Sequence, residues 1–197
     1  MTLTDLETCL AKVRACRTCE ADLPLGPRPV VRIAPGARLL IIGQAPGTKV
    51  HESGIPWNDA SGDRLRDWLN IDHDVFYDPS KVAIMPMGFC YPGRDPKGGD
   101  LPPRPECAPQ WHDTLLNFLP GIELTILVGS YAQKRYLAET KSRTMTDTVR
   151  DFRKHLETGY LPTPHPSWRT TAWQKKNPWF DTDLLPVLRE RAALLVA

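Results

Sequence analysis

The chain has 197 residues, 41% hydrophobic and 24% charged, which is enough for one α/β domain with a substantial core and short for two. Its formal net charge of +2 does not by itself imply a polyanionic partner, so any nucleic-acid surface must come from local clustering. No apolar run approaches the roughly 18–20 residues that span a bilayer. Met1–Leu10 carries Asp5 and Glu7 in place of a basic, apolar leader, so a cytoplasmic protein is expected.

Thr4-Asp-Leu-Glu7 has capping-box spacing and predicts a helix from about Asp5 to Cys16. Arg38-Leu-Leu-Ile-Ile-Gly43 predicts a buried parallel strand. A long loop, 44–61, then leads into a helix over Asp63–Asn70. Val82–Pro86 is a second strand, 88–105 a loop, and Ala108–Leu119 a helix. Leu124–Val128 is a third strand, with a helix over Ser130–Ala138 behind it. Thr146–Leu156 reads as helix, Tyr160–Pro164 as a last short strand, and Asp181–Val196 as an amphipathic helix. The 20 prolines cluster in 24–35, 92–109 and 162–166, marking long ordered loops. The alternation predicts a three-layer α/β/α sandwich around a mainly parallel four-stranded sheet, as one domain over 1–197. Ligands of such sheets bind at the carboxyl ends of the strands, where the loops after Gly43 and Leu161 both lie.

Those loops carry the chemistry. Gly43-Gln-Ala-Pro-Gly47 ends the first strand, and the run continues through Gly54, Pro56, Trp57, Asn58, Asp59 and Ala60 to Gly62. Pro164-His165-Pro166-Ser167 ends the last strand, and Leu127-Val-Gly129-Ser-Tyr-Ala132 joins the third strand to its helix. In order, spacing and placement, these segments resemble the uracil-DNA glycosylase superfamily, closest to its iron–sulfur-cluster branch. The first matches motif A (GEAPGxxEDxxGxPFxGxAG) without a gap, and the second matches motif B. The resemblance implies an enzyme that flips uracil out of DNA and hydrolyses its N-glycosidic bond. It also implies that Gly43, Gln44, Ala45, Pro46 and Gly47 line the base pocket, with Trp57 where relatives stack uracil on an aromatic ring. His165 would donate from a neutral imidazole to the uracil oxygen, and Ser167 and Arg169 would grip the flanking phosphates. The physical chemistry agrees: close approach of backbone to a base favours glycine, and a developing oxyanion needs a preorganised donor.

Two departures stand out. Relatives carry a motif A carboxylate at the position of Gln44 or Ala45, and this chain has none. Relatives also read the uracil edge with an asparagine near Pro86, which cannot do so. Asp59 is therefore a candidate to orient water and stabilise a cationic sugar, and Asn58 to read the base edge with its amide. Turn chemistry is the competing account of Asn58-Asp59. His51 and Glu52 are second choices. Without its carboxylate, the chain also admits a second function: holding uracil or an abasic site, or trapping DNA covalently, with little turnover. A nucleotide-binding loop at Gly43–Gly47 is the third reading, disfavoured because no Gly-Lys-Ser/Thr follows.

Five cysteines are present. Cys16 and Cys19 form Cys-x-x-Cys, and Cys90 and Cys107 flank the proline-rich loop. Such a four-thiolate set suits zinc or an iron–sulfur centre. The resemblance favours a structural 4Fe–4S cluster, since the spacing is that of the cluster ligands in the resembling branch. Cys9 is left as a buried thiol. Downstream of motif B, Trp168, Arg169, Trp173 and Lys175 interleave aromatic and basic side chains, as expected of a loop that wedges into a duplex while gripping phosphates. Trp179 and Phe180 read as core, and Arg94, Lys97 and Arg104 as further phosphate contacts. The expected partner is uracil-containing DNA, and relatives imply a monomer.

Overall fold

The computed structural model describes residues 2–140 and 142–197; Met1 and Lys141, inside the expected 1–197 domain, lie outside the described residues. In chain order the elements are α1 (Leu3–Arg14), β1 (Leu39–Ile42), α2 (Thr48–Ser53), α3 (Ala60–Leu69), α4 (His73–Phe76), β2 (Val82–Ile84) and α5 (Cys107–Leu116). Then follow β3 (Leu124–Val128), α6 (Ser130–Tyr136), α7 (Met145–Arg150), α8 (Phe152–Leu156), β4 (Tyr160–Thr163), α9 (Thr170–Lys176) and α10 (Leu185–Val196).

The four strands form one sheet in the order β2-β1-β3-β4, every pairing parallel. Register follows from burial on both faces. Leu39 and Ile41 of β1 point into one core with Val82, Ile84, Leu124, Ile126, Val128 and Leu161. Their neighbours Leu40 and Ile42 join Ala83 and Leu127 in the other. The first core is closed by Leu65, Trp68 and Leu69 of α3, Val149 and Phe152 of α7–α8, and Leu188 and Ala192 of α10. The second is closed by Leu6, Cys9, Leu10 and Val13 of α1, with Leu115 and Ala132. This is the three-layer sandwich expected from the sequence.

Several boundaries move, each for a local reason. The first helix is capped by Thr2, whose hydroxyl accepts from Asp5 N–H while the Asp5 carboxylate accepts from Thr2 N–H. The capping box therefore lies two residues before Thr4-Asp-Leu-Glu7. The 44–61 loop contains a short helix, α2, ended by Gly54 at φ +72°, a left-handed position that glycine adopts without cost. The 146–156 helix is two, broken at Asp151. The last helix starts late, after a π-helical turn over Phe180–Leu184, because Pro186 has no N–H to continue the ladder backward. Among the described residues no helix is long and apolar enough to cross a membrane.

Candidate active site

A cavity of about 410 Å³ opens at the carboxyl ends of β1, β2 and β4. Gly43, Gln44, Ala45, Pro46 and Gly47 form one wall, Trp57 and Asp59 a second, and His165, Ser167, Trp168 and Arg169 a third. The two motifs, more than a hundred residues apart, meet here because β1 and β4 both flank β3 in a parallel sheet, so their carboxyl ends fall on one edge.

Trp57 and His165 face each other with ring centroids 5.7 Å apart and planes inclined by 37°. Glycine makes room for the indole: a Cβ on Gly43 would lie 2.6 Å from Trp57 Cζ2, and one on Gly62 would collide with the Trp57 carbonyl. Trp57 itself has φ +58°, a left-handed conformation that bulky side chains rarely take, and Arg66 Nη1 donates to its carbonyl at 3.4 Å. A strained, braced aromatic at a pocket wall is a common mark of a ligand clamp.

The motif B loop is also braced. The His165 carbonyl accepts from Ser167 N–H at 2.8 Å and from Thr170 Oγ1. Arg64 of α3 donates to the Ser167 carbonyl at 2.7 Å. Gly129, from the third matched segment, packs on the His165 Cβ. Burial holds His165 below its ordinary value near 6.5, against an upward pull from the Asp59 carboxylate, so the ring is neutral at physiological pH.

Asp59 lines the cavity and is also the N-cap of α3, where its Oδ1 accepts from Gly62 N–H at 2.9 Å. The turn-chemistry account is thus true of one carboxylate oxygen, while Oδ2 is turned toward Gly47. Asn58 is exposed and lies off the cavity lining: Trp57 takes the inward position of the turn and Asn58 faces solvent. His51 and Glu52 are also absent from the lining. The His51 ring lies 6.1 Å from that of Tyr91, with Nδ1 buried and unpartnered, and the Glu52 carbonyl binds Arg28 at 2.8 Å.

Trp168, 76% exposed at the cavity rim, stacks beside the Arg169 guanidinium at 5.3 Å. Trp173, expected at the same face, is instead packed against the core. Its indole N–H donates to Thr146 Oγ1 at 2.8 Å, and its ring meets Trp179 and Phe180 edge-on. Helix α9 turns that residue inward and leaves Lys175 exposed. Arg104 is engaged by Asp22 at 2.9 Å and by Glu106, so it is paired rather than free for phosphate.

The sequence reading missed the Gly98-Gly99-Asp100 segment, which forms part of the cavity wall. The signal was a Gly-Gly turn in a proline-rich loop, easily passed over as a connection. Both glycines have left-handed φ near +97°, and Arg169 lies over them. Burial lifts the Asp100 carboxyl above its ordinary range, the Asp59 charge adds to this, and Arg94 opposes it. Gln44 Nε2 donates to the Leu101 carbonyl at 3.2 Å and ties this segment to motif A. Pro86 also lines the cavity, but its carbonyl is bound by the His112 ring at 3.0 Å and it has no N–H.

The four expected ligand thiols, Cys16, Cys19, Cys90 and Cys107, line one small cavity of their own. Burial first, then neighbouring thiols, push Cys90 up to about 11; burial likewise pushes Cys107 up to about 12. Among the described residues no three His, Cys, Asp or Glu side chains form a group that could hold a metal ion. Cys9 is buried in the second core.

Sequence comparison accords with this geometry. The family model of the uracil DNA glycosylase superfamily matches residues 31–189, and the chain belongs to that superfamily. Membership supports a glycosylase-type activity on DNA.

Proposed function

We propose that the protein excises uracil from DNA by hydrolysis, leaving an abasic site, without a lyase step. The observation that carries this reading is the meeting of Trp57 and His165 across a cavity walled by the Gly43–Gly47 backbone. A flipped base needs a π-face and close backbone on its edges, and Trp57 with Gly43–Gly47 offers both. The leaving group is a uracil anion. His165, kept neutral by burial, donates to its developing charge without first losing a proton. Asp59 presents negative charge to the cationic sugar. Ser167 and Arg169 serve the flanking phosphates, Lys175 adds charge, and exposed Trp168 is the wedge that fills the gap left by the flipped nucleotide.

Four cysteine thiols lining one small cavity would hold a cysteine-ligated cluster, the centre implied by the resemblance, with zinc as the alternative. Bound there, such a group would supply cross-linking rather than catalysis. Cys16 and Cys19, just beyond α1, would be tied to Cys90 and to Cys107 at the start of α5.

The test is a labelled duplex with one uracil, followed by alkaline cleavage of abasic sites. Multiple turnovers by the wild type, with loss of about 10²–10³-fold in His165→Ala, are expected. A denaturing gel on the same samples addresses the second reading: tight retention or a covalent band without strand cleavage would make this a trapping protein.

A further inference from the structure

The cavity holds a second carboxylate whose placement is not explained by folding. Asp100 pairs with Arg94 in a short hairpin, held further by Leu101 N–H to the Gly93 carbonyl at 2.9 Å. Gln44 fastens the hairpin through Leu101. A carboxylate in place of Gln44 would have no N–H to give and would repel that carbonyl. Gly47 leaves the space: a Cβ there would lie 3.3 Å from Asp100 Oδ2 and 4.0 Å from Asp59 Oδ2. The two carboxylates therefore flank one point beside motif A. They are not equivalent. Asp59 is committed through Oδ1 to the cap of α3, whereas Asp100 lies outside every helix.

We propose that Asp100 is the general base of the hydrolysis, taking the proton of the water that attacks C1′ of the flipped deoxyuridine. The inference rests on the uracil-excision reading above. The water oxygen bonds to C1′ as the C1′–N1 bond breaks. The electron pair of that bond leaves with uracil, as an anion hydrogen-bonded by His165, and the water's proton ends on the Asp100 carboxylate. Asp59 faces the cationic sugar. Two carboxylates sharing a site push one of them toward protonation, and a base works best when its pKa is not far below the working pH. The upward shift at Asp100, caused first by burial and then by Asp59, runs in that direction.

The experiment compares wild type and Asp100→Asn in single-turnover cleavage of a duplex with one uracil. Binding to the same duplex carrying non-cleavable 2′-fluoro-deoxyuridine is measured in parallel. Asparagine keeps the shape and removes the base, so the rate should fall by about 10²-fold or more while affinity stays within about threefold. Wild-type-like cleavage by Asp100→Asn, beside an active wild type, overturns the role alone. Loss of rate and binding together also overturns it, because Asp100 would then shape the pocket rather than accept a proton. A wild type that releases no base overturns the proposed activity first, and this role with it.

Discussion

Half-buried His165 and fully buried His112 both have depressed pKa values, and their partners separate their roles. His165 turns its ring to Trp57 and the cavity. His112 is enclosed, bound to the Pro86 carbonyl at 3.0 Å and the Tyr136 hydroxyl at 2.6 Å, and burial lowers it from 6.5 to about 4. The structural histidine sets a measurable pH dependence. Below pH 6.5 the unfolded chain binds a proton at this position that the folded chain refuses until about 4. Its contribution is therefore complete above 6.5 and is lost as pH falls toward 4, by roughly 3 kcal/mol across the window. In urea unfolding, His112→Gln should lose stability less steeply than wild type between those limits. Parallel curves would remove His112 from the account. The composition and spacing of the sequence identified His165 through its neighbours Pro164, Pro166 and Ser167. Nothing comparable marks His112, whose partners are 24 and 26 positions away in sequence.

At the scale of elements, α3 links folding to the pocket. Its N-cap is Asp59, its body carries Arg64 and Arg66, and these hold the motif B loop and the Trp57 carbonyl. One carboxylate thus serves as cap and as pocket charge, and two substitutions separate the parts. Asp59→Ala should lower unfolding stability by about 1 kcal/mol through loss of the cap. Asp59→Asn, which still accepts from Gly62 N–H, should unfold like wild type while cleaving more slowly. Equal stability of wild type and Asp59→Ala in denaturant titration would contradict the capping role. Elements with a strong apolar pattern were readable in advance, and β3 falls where its apolar run places it, at Leu124–Val128. Short helices were not: α2, α4 and α9 have four to seven residues each, too few to show a period. That is also why Trp173, on α9, could not be assigned to core or surface before its contacts were known.

Across the whole molecule, segments distant in the chain meet at two places. One meeting, of motif A, motif B and the Gly98–Asp100 turn, makes the cavity. The other brings Cys16 and Cys19 to Cys90 and Cys107. Because Cys90 and Cys107 flank the segment that carries Asp100, a centre bound by the thiols would steady that segment from both ends. Cys107→Ser should therefore release iron, bleach the visible absorption of the purified protein, and expose the α1–Cys19 segment to limited proteolysis. A colourless wild type that contains stoichiometric zinc would reassign the centre. The sequence alone determined the layer architecture, because each strand's apolar run and the period of the longer helices report burial directly. It also determined the two motifs and the four thiols, because these depend on residue type and spacing. Only the tertiary structure decided which carboxylates share the cavity, that Asn58 faces solvent, and that Gln44 holds the Asp100 hairpin. Those facts depend on how loops distant in the chain pack against one another, and loop conformation is set by long-range contacts that leave no periodic trace in sequence.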